Sequence, residues 1–220
     1  MLFNEKKLKI IAIGAHPDDI ELACGGTLSK AMKNNHDVMM IVVTGKSSFD
    51  HNDNFIRTEQ EALNEQKQAC DRLGIKNIRV LGFEDQQVPY SVDLVSKLDS
   101  IIDEFKPDMI FTHFVFDTHQ DHIRTAQSTL SAARKQNTIF LYEPINPSGR
   151  GYVSFRPQVY IDITDSLDNK IAALKAHKSQ YKKYGDDWIE AVEARAKYRG
   201  FEMGSRYAEC FEVVRMEINV

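Results

Sequence analysis

Between Leu8 and Tyr142 the chain alternates short apolar runs with stretches of helical periodicity, and that alternation excludes most folds. Leu8–Ala15 is apolar from Ile10 onward, Asp37–Thr44 carries Val38 to Val43 without a break, and Ile78–Gly82, Met109–Phe116 and Thr138–Tyr142 repeat the pattern. Strands apolar on both faces belong to a parallel sheet covered on both sides. Between them, Gly25–Asn34, Arg57–Leu73, Val92–Phe105 and Gln120–Arg134 read as helices. The clearest stripe is Leu94/Val95, Leu98, Ile101/Ile102, Phe105, and Gly74 marks a helix end. The expected fold is α/β, a doubly wound, mostly parallel Rossmann-like sheet. After Pro144 the pattern changes to a carboxyl-terminal helix/strand extension. A loop at Asn146–Arg156 leads to a strand at Pro157–Ile163, helices at Leu167–Gln180 and Asp186–Tyr198, and a last strand at Ala208–Ile218. The polar stretch Gly45–Phe55 reads as a long loop of the kind that borders sites. No repeat or linker divides the chain, so a single domain over residues 1–220 is expected.

Composition narrows the function classes. A net charge of −4 with no basic block argues against nucleic acid. No run approaches the roughly 20 apolar residues of a membrane span, and Ile10–Ile13 is too short for a signal-peptide core. Cys24, Cys70 and Cys210 are odd in number and far apart, which suits a reducing cytoplasm rather than a disulfide framework.

Two clusters carry the chemistry. His16-Pro17-Asp18-Asp19 follows the first predicted strand, and His119-Gln120-Asp121-His122 follows the fourth. In a doubly wound sheet these strands lie side by side at the switch point, where ligands bind beyond the carboxyl ends. Two imidazoles and one carboxylate make the nitrogen/oxygen donor set of a catalytic zinc with an open position. The remaining acid and imidazole suit proton transfer and oxyanion stabilisation. Spacing does not decide between Asp18 and Asp19, or between His119 and His122, as ligands. Taken singly, the first cluster also reads as a strand-to-helix turn, with Pro17 setting the backbone and an aspartate capping the helix, and the second as polar residues in the first turn of an exposed helix, with Asp121 an N-terminal helix acid. Gly25-Gly26 lacks the full glycine spacing of a dinucleotide loop. His36, His51, His113 and His177 read as structural or surface residues, with His113 nearest the crevice.

Ala15-His16-Pro17-Asp18-Asp19-Ile20-Glu21 with Gly25-Gly26-Thr27, and the later His119-Gln120-Asp121-His122, resemble the two signatures of the LmbE/PIG-L family of zinc-dependent N-deacetylases. The likeness continues through Arg57-Thr58-Glu59, Asp85, His177-Lys178-Ser179-Gln180 and Tyr207-Ala208-Glu209-Cys210-Phe211. It departs at Gln120, commonly proline in the family, and at Ile20, often glutamate. The resemblance implies Zn2+, with Fe2+ or another divalent ion as a substitute, held by His16, Asp19 and His122. It implies Asp18 as general base, His119 oriented by Asp121 as electrophile and acid, and Arg57 and Asp85 at sugar hydroxyls. The implied reaction removes acetate from an N-acetylglucosaminyl compound, in a homo-oligomer that in relatives is a hexamer. The competing classes are a non-haem iron oxygenase, which shares the two-histidine, one-carboxylate set, a non-catalytic sugar- or nucleotide-binding protein, and an amidase cleaving a larger sugar-thiol conjugate.

Overall fold

The computed structural model describes residues 7–45, 47–49, 55–145 and 148–218. Its main sheet has five parallel strands: β1 (Lys9–Gly14), β2 (Asp37–Thr44), β5 (Asn77–Phe83), β6 (Met109–Thr112) and β7 (Ile139–Tyr142). Two antiparallel strands, β8 (Val159–Asp162) and β9 (Ala208–Arg215), extend it to the order β5-β2-β1-β6-β7-β9-β8. A separate two-stranded ribbon, β3 (Ser48–Phe49) with β4 (Phe55–Arg57), occupies part of the predicted Gly45–Phe55 loop and runs on to Arg57, the predicted first residue of the next helix. Residues 46 and 50–54 of that loop, His51 among them, and residues 146–147 fall outside the described residues.

The doubly wound arrangement follows from the period of a strand. Successive residues of β1 point to opposite faces, so Ile10 and Ala12 join one core while Ile11 and Ile13 join the other. On the first face lie α1 (Asp19–Lys33) and α2 (Glu59–Leu73), with Leu28, Cys70 and Leu73 buried against Met40 and Phe111. On the second lie α3 (Val92–Phe105) and α4 (Gln120–Ala132), with Leu94, Leu98 and Ile102 against Met39 and Ile41. Helix α2 starts with a capping box, Thr58 and Glu61, and ends at Gly74 with φ 79°. No helix among the described residues is long and apolar enough to cross a membrane.

Several boundaries differ from expectation. Helix α1 begins at Asp19, six residues before the predicted Gly25, because the acids of the first cluster form its first turn, where the helix dipole favours negative charge. It then kinks at Cys24 (φ −137°, ψ 19°), which frees amides in mid-helix. The buried Glu209 carboxylate accepts two of them, Gly26 N–H at 3.0 Å and Thr27 N–H at 2.7 Å. Gly26 itself is required by packing, since a Cβ there would sit 2.8 Å from Ile163 Cδ1. Strand β6 stops at Thr112, so His113–Phe116 leave the sheet instead of completing it. In the extension, α5 (Leu167–Ala176) and α6 (Lys178–Met203) meet at His177, and α6 bends at Gly185 (φ 70°).

Candidate metal centre and active site

Strands β1 and β6 pair directly, Ile10 with Met109 through Ala12 with Phe111, so the segments leaving their carboxyl ends meet over one crevice. Gly14 lets the chain turn straight from β1 into α1, because a Cβ would lie 2.8 Å from Ile20 Cγ1. Asp18 takes the N-cap position of α1 with φ 112°, and its side chain makes no capping hydrogen bond. A non-glycine residue held there stores about 1–3 kcal/mol of strain. The capping role expected of a lone aspartate is therefore not what Asp18 does.

Asp19 is the meeting point. One carboxylate oxygen lies 3.3 Å from His122 Nε2, and the other lies 3.3 Å from His16 Nδ1 and 3.2 Å from His113 Nε2. The same oxygen accepts the His16 backbone N–H at 2.7 Å. Each of the two predicted imidazoles has its far nitrogen on a carboxylate. His122 Nδ1 is 2.9 Å from Asp117, and His16 Nε2 is 3.0 Å from Asp121 and 3.1 Å from Asp85. Carboxylates behind metal-binding histidines set the tautomer and raise basicity in this way. Among the described residues, the groups able to share one cation are His16/His119/His122, Asp19/His113/His122 and His16/Asp85/Asp121. The predicted trio His16, Asp19 and His122 is not one of these groups, but both imidazoles lie 3.3 Å from the Asp19 carboxylate, and the nitrogen and oxygen donors are of the type that zinc takes. A cleft open to solvent is lined by Asp19, His122, Tyr142 and Pro144.

Three predicted site residues make contacts that their expected roles did not include. Asp121 does not hold His119 through its carboxylate, which accepts from His16 and from the amides of Gln86 (2.7 Å) and Val88 (3.0 Å). The Asp121 backbone N–H donates to His119 Nδ1 at 3.2 Å instead, so the neutral ring carries its proton on Nε2. Asp85, expected at a sugar hydroxyl, faces His16. Arg57 is 4% exposed and its terminal nitrogens are on protein acceptors, Pro17 O at 3.3 Å, Glu65 at 3.2 Å and Ser179 at 3.3 Å. It braces the turn that carries Asp18. Asp117 escaped the sequence reading, although it lies five positions before His122; His113, read as structural but nearest the crevice, stands inside the site. The His113 ring stacks on His122 with centroids 4.1 Å apart.

The electrostatics follow the contacts. Burial pushes the Asp19 carboxyl up, but the imidazoles of His122, His113 and His16 outweigh it and hold it well below the usual range. Burial lowers His122, yet Asp19 and Asp117 bring it to about 9, and Asp19 with Asp121 raises His16 in the same way. Burial, then His16 and His122, take His119 down to about 4, so it is neutral at pH 7. Asp18 is pushed up to about 6 by burial and by the Asp19 charge, partly offset by His177 and Arg57. Protonated His16 and His122 beside an ionised Asp19 mark a place where positive charge is favoured, and a metal entering it displaces those protons. Behind Asp18 the fully buried His177 lies 3.4 Å from Glu21, which accepts from Gln66 at 2.5 Å.

Residues 11–133 match the PIG-L family, described as GlcNAc-PI de-N-acetylase. An uncharacterized deacetylase of Escherichia coli, YaiS, is 35% identical over 79% of this chain and 92% of its own length. The diacetylchitobiose deacetylase of Thermococcus kodakarensis is 26% identical over 94% of this chain and 83% of its own. Among solved structures, N,N'-diacetylchitobiose deacetylase from Pyrococcus horikoshii superposes with a TM-score of 0.81 at 23% identity, covering 96% of this chain and 85% of that one. GalB, a 4-carboxy-2-hydroxymuconate hydratase of Pseudomonas putida, reaches 0.81 at 17% identity, covering 98% and 99%, so the fold alone does not select the reaction. With more than half of its length inside the family match and a relative at 35% identity, the chain belongs to the PIG-L (LmbE-like) family of deacetylases.

Proposed function

We propose that the chain, acting as one domain, is a zinc-dependent hydrolase that removes the acetyl group from an N-acetylglucosaminyl compound. The observation that carries this is the convergence of His16 and His122 on the Asp19 carboxylate, each backed by its own outer carboxylate. His16, Asp19 and His122 would hold the cation. When bound, it supplies Lewis acidity and makes an attacking water easier to deprotonate. Asp18, beside the trio and ionised above about pH 6, takes that water's proton and later delivers it to the leaving amine. Neutral His119, with its proton on Nε2, donates a hydrogen bond to the acetyl oxygen as negative charge develops there. Asp117 and Asp121 hold the two imidazoles in the tautomers that leave the inner nitrogens free.

The test is acetate release from a panel of N-acetylglucosaminides by protein of measured metal content. Release that follows zinc occupancy and stops on chelation is the expected result. Fully loaded protein that frees no acetate from any of them, or that consumes oxygen when loaded with iron, overturns the reading. Asp117→Asn is expected to weaken zinc binding about 10- to 100-fold, read by competition with a chromophoric chelator. Unchanged affinity would remove Asp117 from its role.

A further inference from the structure

Beside the cleft at Asp19 lies a second pocket, open to solvent, and the two share Leu22, Ala23, Glu143 and Ile145 as walls. Its far side is formed by α6, through Val192 and Arg195. The charges around it are mostly matched. Lys170 is paired with Glu209, and Arg199 with Glu143 and Glu202. Arg195 is the exception: half-buried, it donates one terminal N–H to Pro144 O at 2.8 Å, and no carboxylate lies within ion-pair distance of it among the described residues.

We propose that this cavity receives the group attached to the amino sugar, and that Arg195 binds a carboxylate or phosphate on that group. The proposal rests on the deacetylase reading of the adjoining cleft and adds the class of substrate to it. A guanidinium offers five donors in a planar fork that matches both anions. With one N–H held by Pro144 O, the rest of the fork is left for a ligand. The apolar walls Leu22, Ala23, Ile145 and Val192 keep water away from one side of the site, which strengthens a charge-assisted bond made there. The shared walls make the two pockets neighbours, so a sugar with its acetamido group at Asp19 would extend its attached group past Leu22 and Ile145 toward Arg195.

Three deacetylated ligands bind without turnover and so separate recognition from chemistry: α-D-glucosaminyl glycolate, its neutral glycolamide, and α-D-glucosamine 1-phosphate. Titration calorimetry on the zinc-loaded protein is expected to show at least one acid binding about tenfold or more tighter than the amide. In Arg195→Gln that acid loses about 10- to 100-fold while the amide loses little. The acid with the larger loss identifies the anion. Arg195→Lys, which keeps the charge without the fork, recovers part of the affinity. Equal binding of acids and amide by the wild type overturns the proposal. So does an equal loss of all three in Arg195→Gln, which would mean that Arg195 only tethers the Pro144 loop. Acetate release from the N-acetylated amide is assayed in parallel. Release without any preference for acids removes the subsite and leaves the deacetylase; acid preference without release does the reverse.

Discussion

Asp18→Asn is expected to keep its zinc and lose about 100- to 10,000-fold in kcat, the usual contribution of a positioned general base. Asparagine suits this test because it tolerates the left-handed backbone that Asp18 adopts at φ 112°, so the turn survives and only the proton acceptor is lost. The same variant is expected to be more stable than the wild type when both are metal-free at neutral pH. The Asp18 carboxyl sits at about 6 in the fold because burial and Asp19 disfavour its charge. An acid raised in this way favours folding below its unfolded value near 4, and that contribution is lost as pH climbs through about 6. Above that, the ionised group costs on the order of 1–3 kcal/mol, which the amide avoids. Loss of turnover with a raised Tm in the metal-free protein supports both statements. Wild-type turnover by the variant would take Asp18 out of the mechanism.

Lys170→Met is expected to destabilise the fold by about 3–5 kcal/mol, because it leaves the Glu209 carboxylate buried without its counter-charge. Both side chains are within 5% of complete burial, 2.5 Å apart, and Lys170 also donates to Leu22 O at 2.8 Å. In a chain of this size such a loss lowers Tm by roughly 6–20 °C. Adding Glu209→Gln removes the stranded charge while an amide oxygen still accepts from the kinked helix, so the double variant is expected to melt above Lys170→Met alone. A single variant melting within about 2 °C of the wild type would show that the two amides of α1 are enough to hold Glu209, and would sink the argument.

The pair also shows what a linear reading reaches. Tyr207-Ala208-Glu209-Cys210-Phe211 was legible as a strand and as part of a family likeness, but not as the cap of a helix about 180 residues earlier. Glu209 meets Gly26 and Thr27 only because α1 breaks at Cys24 and β9 inserts beside β7. His16 and Asp121 make the same point at the site. Their hydrogen bond spans 105 positions, and the sequence, in which Asp121 stands two residues from His119, gives no sign of it. Arg57 read as the first residue of a helix, or by likeness as a sugar contact, and is buried with its guanidinium on Pro17 O and Glu65.

Local periodicity determined the existence and alternation of the main-sheet strands and the helices between them, though not their bounds or the β3–β4 ribbon, and hence a parallel sheet with both clusters at its carboxyl edge. That information is local because side-chain direction repeats every two residues in a strand and every 3.6 in a helix. The order β5-β2-β1-β6 then makes the meeting of residues 16–19 with 119–122 a consequence of topology. Which carboxylate stands behind which imidazole, how Asp18 is aimed, and where an unmatched guanidinium faces a cavity were decided by the tertiary structure. Those are contacts of a few ångströms between loops, set by how the elements pack and not by any repeat along the chain.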